Sequence, residues 1–329
     1  MKLVLSQEQQ ELRAAVRSFL AAASPLAKVR EGYDREVYAR LNGELGLSGL
    51  IIPEEYGGAG AGFAELAVAL EETGAALLPG PFLATAFATI ALTRVPDKEL
   101  LTAIAEGRIT ATLAIGPLTT GPLDRVINGM EADVLLLRDG GVLTAVDLTA
   151  PGVTRTALET LDLTRGQARV ELDGVPRREL GPLPDGVDDL LAVALAAEQL
   201  GVLRAALAAI VAYAKIRVAF GRYIGSYQGV KHKLADMHCK LEQAESIVRF
   251  AAWAADESPE ELPAAAALAQ AYVGRACFEV ARDHLLLYGG IGYTWEHDAH
   301  LFYKRAKADE VLLGPPRIHR ARLAELLEL

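Results

Sequence analysis

The sequence predicts a mainly helical α+β protein, in which an N-terminal helical domain (residues 1–107) and a C-terminal set of long helices (183–329) flank a small β domain (108–182). Three observations carry this: helical periodicity in the first hundred residues, a change to short β-prone runs separated by Gly, Pro and Asp, and a return to long Ala/Leu-rich runs from Val187. At the start, Ser6 with Gln9 three residues later makes a capping box, and Leu12, Val16, Phe19 and Leu20 then repeat at helical spacing. Residues 42–50 continue the helical pattern, the glycine-rich stretch 51–62 breaks it, and 63–76 resume it. Residues 57–62 do not follow G-x-G-x-x-G spacing and no βαβ unit surrounds them, so a turn is expected there and not a phosphate loop. The β-prone runs are 110–115, 133–137, 142–146 and 168–172. Beyond them 190–214, 229–255 and 264–288 read as long helices, with breaks at 221–229, 257–263 and 289–292.

A chain of 329 residues with 51% hydrophobic content buries a sizeable core. The run 190–214 approaches membrane-spanning length, but Glu198, Gln199 and Arg204 interrupt it, so it reads as a helix buried in protein or between subunits and no membrane span is expected. The N-terminus lacks the apolar core and small-residue cleavage site of a secretory signal, which makes the cytoplasm the expected location. Cys239 and Cys277 are too far apart for a C-x-x-C site and read as buried free thiols. A formal net charge of -10 argues against a general nucleic-acid surface. His297 with His300, and His232 with His238, lack a third ligand in metal spacing and read as surface or interface histidines.

The densest chemistry lies in residues 217–228, RVAFGRYIGSYQ. Arg217 offers a planar fork of donors suited to a pyrophosphate, Phe220 a face for a flat ring system, and Gln228 an amide that both donates and accepts. Gly221 and Gly225 let the backbone turn and approach a ligand. This stretch resembles the RxxFGxxIGxxQ signature of acyl-CoA dehydrogenases. The turn at 287–296, LYGGIGYTWE, is similar to the family's GGxGY turn, and the phrases around 46–86 and 170–176 resemble its N-terminal domain and the end of its middle domain. The resemblance implies that fold, with a C-terminal four-helix bundle used for oligomerisation. It also implies FAD as cofactor, an acyl-CoA thioester as substrate, and an electron-transfer flavoprotein or similar acceptor. It assigns Arg217, Phe220, Gln228, Gly289 and Gly290 to the FAD of a neighbouring subunit.

The family's reaction needs a carboxylate base, and the resemblance places Leu313 and Leu191 at the two positions where its branches carry one. Asp188, Asp189 and Glu310 are the nearby acids that would serve as displaced bases, although each reads more naturally as a helix N-terminal or solvent-exposed acid. The family's TEP…GSD loop and Trp-Ile-Thr strand are replaced by residues 115–122 and a short run into Val126, and Leu286 stands where a Gln precedes the Gly-Gly turn. The chain therefore reads as one that contributes to a neighbour's FAD while poorly equipped to hold its own. The implied role is the shorter, non-base-bearing subunit of an α2β2 acyl-CoA dehydrogenase paired with a catalytic subunit. Residues 312–316, LLGPP, resemble the ending of such subunits in actinobacterial steroid-CoA enzymes, which extends the expectation to steroid side-chain degradation. The alternatives are a self-sufficient homotetrameric dehydrogenase with a displaced base and a non-catalytic structural paralogue.

Overall fold

The computed structural model describes residues 3–115 and 121–329. Five helices come first: α1 (Gln7–Ala23), α2 (Arg35–Leu45), α3 (Phe63–Ala75), α4 (Phe82–Arg94) and α5 (Lys98–Ala105). The Ser6–Gln9 capping box forms, with the Gln9 amide donating to Ser6 Oγ at 3.2 Å and the Ser6 amide donating to Gln9 Oε1 at 3.0 Å. The Asp34 and Asp97 carboxylates cap α2 and α5 by accepting from first-turn amides. Helix α2 stops at Gly46, whose φ of +64° ends it before residue 50, and a 3-10 turn, Leu47–Gly49, follows. The glycine-rich stretch folds back on this turn, its amides at Ala59, Gly60 and Ala61 donating to the carbonyls of Gly49, Ile52 and Leu50.

Among the described residues seven strands follow: β1 (Ala111–Leu113), β2 (Leu123–Ile127), β3 (Val134–Asp139), β4 (Val142–Asp147), β5 (Val153–Leu158), β6 (Gln167–Leu172) and β7 (Arg178–Pro182). They form a four-stranded sheet ordered β1-β3-β4-β7 and a three-stranded sheet ordered β2-β6-β5. Among the described residues, only β1 and β3 pair in parallel. Alternation along β3 shows how the first sheet is sandwiched: Leu135 and Leu137 join Val146 and Val170 in a small core between the sheets, whereas Leu136 faces the helical core. Strands β2, β5 and β7 lie outside the four β-prone runs read from the sequence.

The C-terminal part comprises α6 (Val187–Ile216), a hairpin of β8 (Val218–Ala219) and β9 (Arg222–Tyr223), α7 (Gln228–Glu257), α8 (Leu262–Tyr288), α9 (Ala299–Leu312) and α10 (Pro316–Leu326). Helix α6 packs on α3, α4, α7, α8 and α9, so its apolar surface from Asp189 to Leu203 is covered by the chain itself. It is long and apolar enough to cross a membrane, yet 89% of its most apolar window is buried in the fold. Most of the apolar surface of α6 and α8 is thus used inside the bundle. Where α3 crosses α6 the backbones nearly touch, since a Cβ on Gly201 would stand 1.8 Å from the Glu71 carbonyl and one on Gly74 2.3 Å from that of Glu198.

Two smaller readings are also corrected. Cys277 is buried, and burial holds its thiol well above the usual range, but Cys239 is exposed because it lies on the solvent face of α7. His300 is buried, packed edge-on against Trp295, and is not a surface histidine.

Candidate functional site

Residues 217–228 form the connection between α6 and α7. Helix α6 ends at Arg217, the chain turns through the β8–β9 hairpin, and Gln228 opens α7. Both central turn residues have positive φ, Phe220 at +51° and Gly221 at +77°, as in the tight turns that suit the twist of two paired strands. Glycine adopts this freely; for phenylalanine it costs on the order of 1–2 kcal/mol. The strained residue is also the most exposed large hydrophobic in the fold, with 99% of its surface open, so nothing on its own chain touches the ring. Among the described residues the Arg217 side chain has no hydrogen bond or ion pair, and the Gln228 amide at the helix start is exposed.

The second motif closes α8. Gly289, with φ of +67°, leads into a 3-10 turn, Gly289–Tyr293, and neither Gly289 nor Gly290 has an atom within 4 Å of where a Cβ would stand. Tyr288 anchors the turn: its ring lies 4.4 Å from that of Tyr213, one turn before Arg217, and 4.1 Å from that of His297. Buried His284 meets Tyr288 edge-on, and burial depresses its imidazole to about 3. The Tyr213–Tyr288 contact brings the hairpin and the glycine turn to one end of the bundle. There an unpaired guanidinium, a bare ring, an amide and an open backbone face outward, and this donor set fits a ligand with a pyrophosphate and a flat ring system.

The two positions that the resemblance assigns to a base are hydrocarbon. Leu191 is buried in α6, and Leu313, partly buried past the end of α9, packs against the same core, its carbonyl 3.1 Å from His319 Nε2. The acids near them are engaged: Arg322 grips both carboxylate oxygens of Asp189, Arg138 pairs with Asp188, and Glu310 is buried against Lys307 at 2.6 Å and Arg275 at 3.6 Å. Glu310 is thus not the solvent-exposed acid the sequence suggested, because α9 turns it inward.

Between the β domain and α9 lies a cavity of about 760 Å³, with Ile115, Arg125, Asp162, Arg165, Lys307 and Leu312 among its walls. Its described walls carry no aromatic ring, and Asp162 and Arg165 are committed to a buried ion cluster. The described walls therefore offer a flavin no stacking face, and two of their charged groups are already paired. Residues 116–120, part of the stretch read as a reduced flavin loop, lie outside the described residues.

That ion cluster was not singled out from the sequence. Arg165 on the β5–β6 connection donates to Glu198 of α6 and Asp309 of α9, while Arg305 of α9 reaches Asp162 at 2.6 Å, Glu198 at 3.4 Å and the Leu78 carbonyl at 3.5 Å. All three parts of the chain meet there. Burial pushes the Asp309 carboxyl up to about 7; Glu198 and Asp162 add to that, Arg165 and Arg305 oppose it, and its second oxygen has no hydrogen-bond partner among the described residues. The only local signal is the i, i+4 spacing of Arg305 and Asp309, which a surface pair would also show.

Family models for the acyl-CoA dehydrogenase N-terminal domain and C-terminal domain match residues 6–100 and 190–327. The chain is 38% identical to the acyl-CoA dehydrogenase IpdE2 of Mycolicibacterium smegmatis, over 97% of this chain and 98% of that one. Among solved structures, a chain of a variant of the Tcur3481-Tcur3483 steroid ACAD superposes with a TM-score of 0.88 at 30% identity, covering 98% of each chain. A chain of the ChsE4-ChsE5 complex from Mycobacterium tuberculosis gives 0.88 at 26% identity, covering 100% of this chain and 99% of that one. With its helix–sheet–helix architecture and these matches along nearly its whole length, the chain belongs to the acyl-CoA dehydrogenase family of FAD-dependent oxidoreductases.

Proposed function

We propose that this chain is the non-base-bearing subunit of a hetero-oligomeric acyl-CoA dehydrogenase, in which its Arg217 hairpin and Gly289–Gly290 turn complete an FAD site held mainly by the partner's β domain. The observation that carries the reading is the hairpin tip: a strained, 99% exposed Phe220 beside an unpaired Arg217, with no ligand-directed contact on its own chain. When bound, FAD supplies the hydride acceptor for α,β-dehydrogenation of an acyl-CoA thioester. Arg217 would hold the pyrophosphate through its fork, Phe220 would lie against a flat ring, and Gln228 would address a polar edge. Leu191 and Leu313 take no proton, so the base comes from the partner. Two solved relatives support the assembly and the substrate class: one is a steroid ACAD whose name joins two proteins, the other a two-protein complex. A steroid acyl-CoA thioester is therefore the substrate class we assign, with an electron-transfer flavoprotein or a similar carrier as acceptor and the cytoplasm as location.

The test compares the chain purified alone with the assembly recovered together with the product of its neighbouring gene. Alone, it is expected to turn over no acyl-CoA with an artificial electron acceptor. The assembly is expected to be active and to hold about half as many flavins as chains, one shared between each binding β domain and each hairpin. A lone chain that is yellow, active and loaded with one flavin per subunit overturns the assignment.

A further inference from the structure

We propose that the Tyr227 hydroxyl is a positioning group for the hairpin, fixing where Phe220 points. The proposal rests on the interface reading above. Tyr227 directly precedes α7, and its hydroxyl donates to the carbonyl of Ala219, the residue before Phe220, at 2.8 Å. Its ring carries the guanidinium of Arg222, the residue after Gly221, with the cation 3.7 Å from the ring centroid. One side chain therefore grips both shoulders of a turn whose tip touches nothing.

The rest of the hairpin restrains the tip weakly. Strands β8 and β9 share two residue pairs, and a Cβ on Gly221 would meet no atom within 4 Å. A bulky residue stays in the left-handed region only where its surroundings hold it there. Among the described residues, Tyr227 supplies the one side-chain hydrogen bond to the turn backbone at 219–222. The base of the hairpin is fixed separately: the Ile224 amide donates to the Arg217 carbonyl at 2.8 Å, and Gly225 lies so close to α6 that a Cβ there would stand 2.8 Å from the Ala214 carbonyl. Losing the hydroxyl would free the tip and leave its base in place, so the ring would meet the flavin less well pre-organised.

Tyr227→Phe removes the hydroxyl and keeps the ring under Arg222. The assembly is recovered from the native host through a tag on this chain, stripped of flavin and titrated with FAD, alongside Arg217→Ala, Phe220→Ala and the Tyr227→Phe/Phe220→Ala double variant. Tyr227→Phe is expected to weaken FAD binding about two- to tenfold, the range of one hydrogen bond, without moving the melting temperature of the stripped assembly. The double variant is expected to bind no more weakly than Phe220→Ala alone, because the hydroxyl acts through the ring. Unchanged FAD affinity in Tyr227→Phe beside a weakened Arg217→Ala overturns the positioning role and leaves the interface reading standing. Additive losses in the double variant overturn it as well. Full FAD affinity in both Arg217→Ala and Phe220→Ala, or a flavin-free assembly from the host, overturns the interface reading and this proposal with it.

Discussion

Burial gives Asp309 a titration near neutrality, well above that of an exposed carboxylate. Two guanidiniums, Arg165 and Arg305, face three carboxylates, Asp162, Glu198 and Asp309, and a proton on Asp309 balances the charges. Its folded pKa, about 7, lies above the ordinary carboxylate value of 3.8, so the stabilisation it provides is complete below that value and is lost as the pH rises through about 7. Melting temperatures between pH 6 and 8.5 are therefore expected to fall by a few degrees in the wild type and to fall less in Asp309→Asn, which stays neutral; parallel curves would exclude the role. Buried His284 acts on the other side. Its depressed imidazole contributes stability above about 6.5 that is lost on acidification toward about 3. Neither residue was legible in the sequence, since a carboxyl at neutral pH is a product of burial and of partners distant along the chain, such as Arg165. The hairpin residues proposed to meet FAD could be singled out because their types and spacing sit within twelve consecutive positions, 217–228.

The crossing of α3 and α6 is reciprocal: Glu71 and Gly74 on one helix face Gly201 and Glu198 on the other, each glycine lying against the other helix's glutamate carbonyl. The two carboxylates diverge from this contact into separate arginine clusters. Burial alone would raise Glu71, but Arg249, Arg204 and Arg13 hold it below its usual value. Glu198 meets Arg165 and Arg305. Gly201→Ala adds a methyl where the gap is 1.8 Å, so the helices must separate and loosen both clusters. The expected loss is about 1–3 kcal/mol or more, read as a lower urea midpoint, and an unchanged midpoint would mean that the crossing tolerates a wider spacing. Long helices such as α6 and α8 were legible from their apolar runs, and α1 from the purely local Ser6–Gln9 cap. Strand β5 was not, because Val153–Leu158 is at most half-buried and lacks the apolar alternation of β3 and β4. Strand β2 was hidden by the bulge between Leu123 and Val126, where Arg125 takes a positive φ.

At the scale of the molecule, the order of helices, strands and helices is visible in composition, whereas the end of the bundle that carries the proposed ligand-facing groups emerges only when α6 and α8 stop side by side. Tyr213 meeting Tyr288 makes one patch from two motifs some seventy positions apart, a juxtaposition no local pattern encodes. The two connections also carry exposed Ile216, Val218, Phe220, Tyr223, Tyr293 and Trp295, while the apolar surface of α6 from Asp189 to Leu203 lies inside the chain. This division has a consequence for how the protein is made and kept. In the proposed assembly, a subunit whose core is complete can fold before it meets a partner, yet its aromatic hairpin tip then stands open to the solvent, and such loop tips are where proteases cut first. Brief chymotrypsin treatment is expected to cleave the lone chain after Phe220, between the intact α6 and α7, and to spare the same bond once the assembly has closed over it. Equal cleavage rates in the two states would rule this out. The tip would then act as the molecule's own record of whether it has been paired, leaving unpaired copies to be cleared and paired copies to persist.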